Sequence, residues 1–254
     1  MREYPHGLDE EFLPDDIESA RERIDEFEKE LKESPDEAGP LMIQYLGKAY
    51  YATACYKYAL GEAPASIRGT LATAFQHLFS AFETDVLLDV YEFINLISLA
   101  VVLGEDKSAK ALADTPRDRY TNEGVAADET VFTAAQVMSA FVKRDEDFVA
   151  RTFSKNNPDT AETKNIYRYD RLLYFPLLRL LNIVHRRDAN RLGEAFRTRD
   201  GDFVRYWRRA DDKNDPDALI DMNGLAITVF ARQRALPFSD SSVYRPIELI
   251  KETR

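Results

Sequence analysis

The chain has 254 residues, of which 44% are hydrophobic and 31% charged, which is typical of a folded globular protein of one large or two small domains and argues against a disordered chain. Thirty-four Lys and Arg against forty-five Asp and Glu leave a formal charge of −11, which disfavours nucleic acid and anionic membranes as partners and suits a basic partner. A basic patch strong enough to override this charge would have to lie around Arg179 to Arg209.

The single cysteine and the amino-terminal sequence give information on the cellular compartment of the protein. Cys55 lies among tyrosines in an apolar-rich stretch, so no internal disulfide can form, and we interpret it as a small buried hydrophobe in a reducing compartment. The stretch MREYPHGLDEEFLP lacks the apolar segment of a signal peptide. The longest apolar stretch, 86–103, carries Asp89 and Glu92 and is predicted as a buried helix rather than a membrane span. We therefore expect a cytoplasmic protein.

Helical periodicity recurs along the first half of the chain, after a segment over 1–14 that we expect to be extended. Pro14 and Asp15 signal the start of a charged surface helix. Gly61 and Gly104 are placed to end two later helices. The predicted helices cover 15–34, 40–60, a segment that opens at Pro64, 85–103 and 105–113.

Acidic residues and prolines divide the second half. Pro176 is expected to kink or split a long apolar helix, because it removes a backbone donor. Asp215 followed by Pro216 matches the start pattern of a final long helix. The predicted helices cover 128–144, a stretch from Asp145 or Asp147 to about Lys155, 164–187, 188–199, 202–210 and 216–235. Together, 15–235 form the helical domain, and 236–254 form an extended tail that packs on it.

Two similar stretches, RDEDFVAR at 144–151 and RDGDFVRY at 199–206, place Arg and two Asp residues ahead of Phe-Val. An aspartate at such a position can accept hydrogen bonds from the free amides of a helical first turn. We interpret these residues as caps in repeated joints of helix, acidic turn and helix: Asp145 or Asp147, Asp200 or Asp202, and, in a weaker example, Asp188. A metal or acid/base role for the Asp pairs is the alternative. The joints favour an all-α fold, a single helical domain of about ten helices in irregular stacked helical hairpins.

Sequence signatures of catalysis and of metal binding are absent. The histidines His6, His77 and His185 are isolated, whereas zincin-type metal sites need histidines at helical spacing and ferritin-like sites need Glu-x-x-His pairs. The ten glycines form no phosphate-binding loop, and DDKNDPDALIDMNG lacks the Gly and Glu that a calcium loop requires. We therefore predict a protein that is not an enzyme, with no catalytic residue, no metal site and no cofactor.

Four polar residues recur every three positions along the most apolar helix: Asp89, Glu92, Asn95 and Ser98. They could line a polar pocket, and an enzymatic alternative would centre on Asp89 and Glu92. They could also form the stripe of this helix that touches solvent or a neighbouring arginine. The second interpretation is favoured.

The carboxyl-terminal third resembles a known family. The helix DALIDMNGLAITVFARQRAL and the following PFSDSSVYRPIELI are similar to the end of the immunity protein 49 family, whose members protect bacteria against polymorphic toxins. The residues that carry the resemblance are Ala231, Arg232, Arg234, Leu236, Pro237, Tyr244 and Pro246. The upstream order is also similar: a helix rich in Tyr and Ala, an apolar helix, and hairpins separated by acidic turns.

The resemblance implies a non-catalytic, all-α, cytoplasmic antidote that binds a cognate protein toxin and occludes it, and the net charge suits a basic toxin. As the contact we select Trp207 and the acidic loop beside it, Asp211, Asp212, Asp215 and Asp217. The same loop could be only a solvated turn with a helix cap. A helical-repeat scaffold that binds a peptide or another protein is the alternative function. The tyrosine-rich stretch 45–58 suits a dimer face as well as a core, so the oligomeric state stays open.

Overall fold

The computed structural model describes residues 1–33, 39–84, 86–121, 126–159, 166–237 and 242–251. In this part of the chain, eleven α-helices form a single all-α domain without a β-strand, which confirms the predicted fold class. The helices are α1 (Leu13–Glu33), α2 (Pro40–Ala59), α3 (Pro64–Glu83), α4 (Val90–Leu103), α5 (Asp106–Ala113), α6 (Glu129–Lys143), α7 (Glu146–Lys155), α8 (Phe175–His185), α9 (Ala189–Trp207), α10 (Pro216–Leu219) and α11 (Met222–Gln233). The predicted residues 34, 85, 164–165, 238–241 and 252–254 lie outside the described part.

Helices α4 and α11 form the centre of the core. The sequence of α4, VYEFINLISLAVVL, is apolar on nearly every side, and such a helix is stable only when it is surrounded by protein. Ten consecutive residues of α11, from Met222 to Ala231, are buried. These two helices pack against each other, and α6 packs on α4 while α8 packs on α11. No α-helix among the described residues combines the length and the apolar content needed to cross a membrane.

A glycine brings α2 and α3 into close contact. A Cβ atom at Gly47 would lie 2.7 Å from Cγ and 2.9 Å from the backbone nitrogen of Leu78. Any larger residue would push the two helices apart, so Gly47 fixes the tightness of this hairpin. The hairpin forms one wall of the cleft described below.

Aspartate caps begin several helices, as the sequence predicts. The Asp128 carboxylate accepts a hydrogen bond from the Thr130 amide at 2.8 Å, and Asp145 accepts one from the Phe148 amide at 2.9 Å. Asp188 caps α9 through the amide of Arg191 at 3.3 Å. The joints predicted at 145 and 188 are therefore confirmed, and Asp145 rather than Asp147 is the capping residue.

The joint predicted at Asp200 or Asp202 is wrong, because α9 runs without a break from Ala189 to Trp207. The predicted helices 188–199 and 202–210 are one helix. Gly201 is exposed, and a glycine in a helix interior costs only about 1 kcal/mol, so it does not end the helix. Asp200 instead receives two hydrogen bonds from the buried guanidinium of Arg245, at 2.9 and 3.1 Å.

The final helix is divided, contrary to the prediction of one helix over 216–235. Asp215 caps α10 as predicted, through the Asp217 amide at 2.8 Å. The chain then becomes extended at Ile220, with φ −133° and ψ 120°. Asp221 caps α11 through the Gly224 amide at 2.9 Å. The division arises because Asp221 offers a second cap within the apolar run.

Two further helix starts differ from the prediction. Helix α4 begins at Val90 rather than at 85, because Asp89 caps it. Before α8, residues Asp170–Tyr174 form a π-helical turn in which the Phe175 amide donates to the Asp170 carbonyl. Pro176 cannot donate to the carbonyl four residues before it, which accounts for the irregular turn beside it. The predicted disruption at Pro176 is thus confirmed.

The two ends of the described chain meet. His6 and Tyr244 are both buried, and the Nδ1 atom of His6 lies 2.9 Å from the Tyr244 hydroxyl oxygen. The Nε2 atom of His6 lies 3.0 Å from the Lys213 carbonyl oxygen, so Nε2–H donates there and the Tyr244 hydroxyl donates to Nδ1. Ile247–Leu249 form a single 3-10 turn near the end of the described chain. Tyr244, one of the residues that carry the family resemblance, therefore has a structural role.

Candidate functional site

A cleft of about 310 Å³ opens between α2, α4 and the start of α10. Its lining combines apolar side chains with amides, carboxylates and one lysine. The apolar lining consists of Leu78, Leu88, Leu96, Leu99 and Pro216, and the polar lining consists of Gln44, Lys48, Tyr51, Glu92, Asn95, Asp215 and Asp217. Its volume is in the range of small-molecule and side-chain binding sites.

Glu92 belongs to the polar lining, and its position is fixed by the start of α4. Its amide donates to Asp89 at 2.8 Å, and its carboxylate accepts from the Asp89 amide at 3.2 Å, which is a capping box. Lys48 donates to the same carboxylate in an ion pair, and the Gln44 amide nitrogen lies 3.5 Å from both of its oxygens. Lys48 is therefore neutralised within the cleft.

The polar stripe of α4 divides among three roles. Glu92 and Asn95 line the cleft, whereas Asp89 is the cap. Ser98 is buried and donates to the Asn223 side-chain oxygen at 2.7 Å, and Asn223 in turn donates to Asn95 at 3.1 Å. Both interpretations of this stripe apply to Glu92 and Asn95: they line the cleft, and they are partly exposed to solvent, with 30% of the Glu92 side chain accessible.

Asp215 and Asp217 also belong to the polar lining. Burial raises the pKa of Asp217 to about 7, the nearby Asp215 carboxylate adds to this effect, and the Tyr51 hydroxyl and the Lys48 ammonium oppose it. Burial also raises the pKa of Asp215. Asp217 has no ion-pair partner within the described residues. A carboxyl group that is partly removed from water without a cation is unfavourable for stability, and such groups concentrate at functional sites.

Behind Asp217 the cleft narrows to a chamber of about 30 Å³, which has room for one water molecule. Tyr51, Asn95 and Asp217 line both spaces. Trp207 lies at the inner wall with only 6% of its surface exposed, and its indole N–H has no partner among the described residues. Trp207 therefore lies on the inner side of the cleft, where its ring is shielded from bulk solvent.

A buried ion pair supports the chamber. Asp221 and Arg199 are each about 2% exposed, and the guanidinium donates to both carboxylate oxygens, at 2.5 and 2.6 Å. Arg199 also donates to the Leu173 carbonyl at 2.6 Å. This pair joins α9, α11 and the π-helical turn and holds the inner wall in place.

The predicted contact residues separate into two groups. Asp215, Asp217 and Trp207 lie along the cleft and its chamber, whereas Asp211 and Asp212 are exposed on the preceding loop. This loop is fixed by Asn214, which is 4% exposed. The Asn214 side-chain nitrogen donates to the Asp9 carbonyl at 2.9 Å and to the Asp16 carboxylate at 2.7 Å.

The residues of α2 that line the cleft were not predicted from the sequence. Gln44, Lys48 and Tyr51 recur at steps of four and three, so they share one face of α2. That spacing was the available signal, but it does not reveal which partner the face meets.

The single cysteine does not line the cleft. Cys55 is fully buried, and burial raises the pKa of its thiol well above the usual value, which suits the role of a small hydrophobe. Among the described residues, no group of three His, Cys, Asp or Glu side chains comes together that could hold a metal ion.

Comparison with known proteins identifies a family. A family model described as Immunity protein 49 matches residues 42–249, which include every residue that lines the cleft. No curated protein and no solved structure matches the chain.

Proposed function

The chain belongs to the immunity protein 49 family, and from this premise we propose that it is a non-catalytic antidote that binds a cognate polymorphic toxin and neutralises it by occlusion. The family match over residues 42–249 is the observation that carries this proposal. The proposed activity needs no cofactor, metal, nucleic acid or membrane. We also propose a cytoplasmic location, where the single buried Cys55 would stay reduced.

We propose the cleft as the toxin contact, with a lysine or arginine side chain of the toxin as its occupant. The carboxylates of Glu92, Asp215 and Asp217 face one ammonium group, that of Lys48, which Glu92 already neutralises. The leucines that line the cleft suit the methylene chain of such a residue, and the carboxylates suit its charged end. The exposed Asp211 and Asp212 would extend the negative surface beyond the opening.

The net charge supports the same partner. At −11, the chain attracts a basic domain over a range of about 10 Å at moderate salt. Such attraction raises the association rate and the selectivity more than the final affinity. An antidote that meets a newly made toxin in the same cell benefits from rapid association.

The first test is co-expression with the product of the adjacent gene. The proposal expects that this product is toxic alone, that the chain relieves the toxicity, and that the two proteins elute together. A neighbour that is harmless and does not bind would contradict the antidote function and favour the alternative of a helical scaffold.

A second test asks whether the cleft is the contact. The double variant Asp215→Asn, Asp217→Asn keeps the shape of the cleft and an Asn cap on α10 but removes both carboxyl groups, and with them the negative charge that they carry. We expect its affinity for the toxin to fall about tenfold or more, since charge-assisted contacts are lost. The matched control is Glu26→Gln, Glu30→Gln on the exposed face of α1. An equal loss in both variants would contradict the cleft as the contact without affecting the antidote function.

A further inference from the structure

A second groove, of opposite charge to the cleft, lies along the hairpin of α8 and α9. Its volume is about 430 Å³, and it includes the π-helical turn and the carboxyl-terminal end of α9. Five arginines and one carboxylate, that of Asp202, line it: Arg168, Arg171, Arg179, Arg205 and Arg209. The cleft, the chamber behind it and a pocket beside α5 and α6 have mixed or acidic linings, whereas guanidinium groups predominate in this groove. In a chain with a net charge of −11, it is a local reversal of sign.

Two of the arginines are held in place by the protein. Arg168 donates to the carbonyls of Arg205 and Tyr206, both at 3.0 Å, and its guanidinium lies 5.1 Å from the Tyr206 ring centre. Arg179 donates to the Pro158 carbonyl at 3.1 Å. The Arg179 guanidinium also lies over the Phe175 ring, 4.7 Å from its centre. Guanidinium groups fixed in this way lose little entropy when an anion binds.

Two other arginines have unused donors. Neither Arg171 nor Arg209 makes an ion pair or a side-chain hydrogen bond with another residue, as far as the chain is described. The carboxylate of Asp202 pairs with Arg205 at 3.1 Å, so one of the five guanidinium charges is offset. The groove therefore retains an excess of positive charge and of N–H donors.

The composition of the groove indicates the class of ligand. A planar guanidinium group can bind two oxygens of one phosphate at once. Several guanidinium groups together suit a ligand with adjacent phosphates better than a ligand with a single carboxylate. Leu172, Phe175 and Pro176 give the groove an apolar side, which suits the uncharged part of a small molecule. A long polyanion would extend beyond the groove onto a chain whose net charge is negative.

We propose that the groove between α8 and α9 binds a small ligand that carries two or more adjacent phosphate groups. This site is separate from the cleft, since the two share no lining residue, and it does not depend on the toxin. Its existence can be tested on the purified chain alone.

Calorimetric titration of the full chain with pyrophosphate is the test. We expect saturable binding at a single site that weakens as salt is added. The variant Arg171→Gln, Arg209→Gln should bind about tenfold more weakly or worse, because it removes the two unused guanidinium groups. Both residues are exposed, so the variant is expected to fold, and circular dichroism verifies this.

The matched control is Arg21→Gln, Arg23→Gln on the exposed face of α1, which changes the net charge by the same amount. This control should bind pyrophosphate as the parent does. No binding by the parent, or an equal loss in the control, would overturn the proposal. A hexaglutamate peptide that binds the groove more tightly than pyrophosphate would also overturn it, because the occupant would then be an acidic protein segment.

Discussion

The Asp221 carboxylate accepts three hydrogen bonds in the interior of the protein: two come from the Arg199 guanidinium and one from the Gly224 amide. A Cβ atom at Gly224 would lie 2.3 Å from the same carboxylate, so only glycine fits there. Asp221 thus acts both as the cap of α11 and as the counter-charge of a buried arginine. The position of the inner wall of the cleft depends on this one carboxylate.

We predict that Asp221→Ala lowers the free energy of unfolding by about 3–5 kcal/mol. The reason is that the variant leaves the Arg199 guanidinium buried without a counter-charge and removes the cap. The measurement is urea unfolding. Asp211→Ala, on the exposed loop, is the control and should change stability by less than about 0.5 kcal/mol. Similar values for the two variants would contradict the role given to Asp221.

Asp217 makes stability depend on pH. Its ordinary pKa is 3.8, and the folded state raises the pKa to about 7. Below the ordinary value, the carboxyl is protonated in both states and contributes nothing. Between the ordinary value and about 7, the Asp217 carboxyl is ionised in the unfolded state but still protonated in the folded state, so the free energy of unfolding falls as the pH rises. Above about 7 the carboxyl is ionised in both states, and the loss of stability stays constant.

We therefore predict that Asp217→Asn is more stable than the parent at neutral pH, by up to about 4 kcal/mol, and that this gain disappears as the pH falls towards 4. Unfolding free energies measured across this pH range test the prediction, with Asp211→Asn as the exposed control. A gain that does not change with pH would show that the Asp217 carboxyl titrates at its ordinary value.

At the scale of the helix, α9 shows how an exposed glycine is tolerated. A Cβ atom at Gly201 would have no neighbour within 4 Å, and the helix continues on both sides. By contrast, Gly104 ends α4 with φ +67°, and a Cβ atom there would lie 3.1 Å from the Lys251 side chain. The same residue type thus has opposite roles at the two positions.

We predict that Gly201→Ala raises the free energy of unfolding by about 0.5–1 kcal/mol, because alanine favours a helix interior. Gly104→Ala is the matched comparison and should lower it by about 1 kcal/mol or more, since its backbone is left-handed. If Gly201→Ala were destabilising, a helix break at this position would be indicated instead.

Local signals in the sequence account for the helix starts that were predicted correctly. Asp128, Asp145, Asp188 and Asp215 all precede apolar periodicity, and all four are caps. The same local pattern at Asp200 failed, because the competing interaction is the Arg245 ion pair, whose partner lies 45 positions along the chain. The division at Ile220 was missed for the same reason: Asp221 is fixed by the distant Arg199. Pairings of this range leave no mark in a single sequence.

The sequence predicted individual residues of the candidate site but not how they combine. Asp215 and Asp217 were selected from the acidic loop, and Glu92 from the stripe on α4, but as separate features. What joins them is the packing of α10 against α2, which places Lys48 and Tyr51 between them. Only the structure combines the three elements into one cleft.

At the scale of the whole molecule, charge is distributed unevenly. The carboxylate cleft lies between α2, α4 and α10, and the arginine groove lies along α8 and α9, within a chain of net charge −11. The cleft is suited to a basic protein, and the groove to a compact phosphorylated ligand. The separation allows both to be occupied at once.

We predict that association with the toxin slows by about tenfold or more between low salt and about 0.5 M sodium chloride, whereas dissociation changes less. The cause is screening of the attraction between the acidic chain and a basic toxin. Stopped-flow kinetics measure both rates. An association rate that is independent of salt would contradict electrostatic steering.

Neutralisation by binding is tested most directly by measuring the activity of the purified toxin from the adjacent gene while it is titrated with this chain. The antidote function predicts that toxin activity falls linearly to zero as equal amounts combine, with a stable complex in size-exclusion chromatography. A toxin that stays active in the presence of excess chain, or that forms no complex with it, would contradict neutralisation by binding.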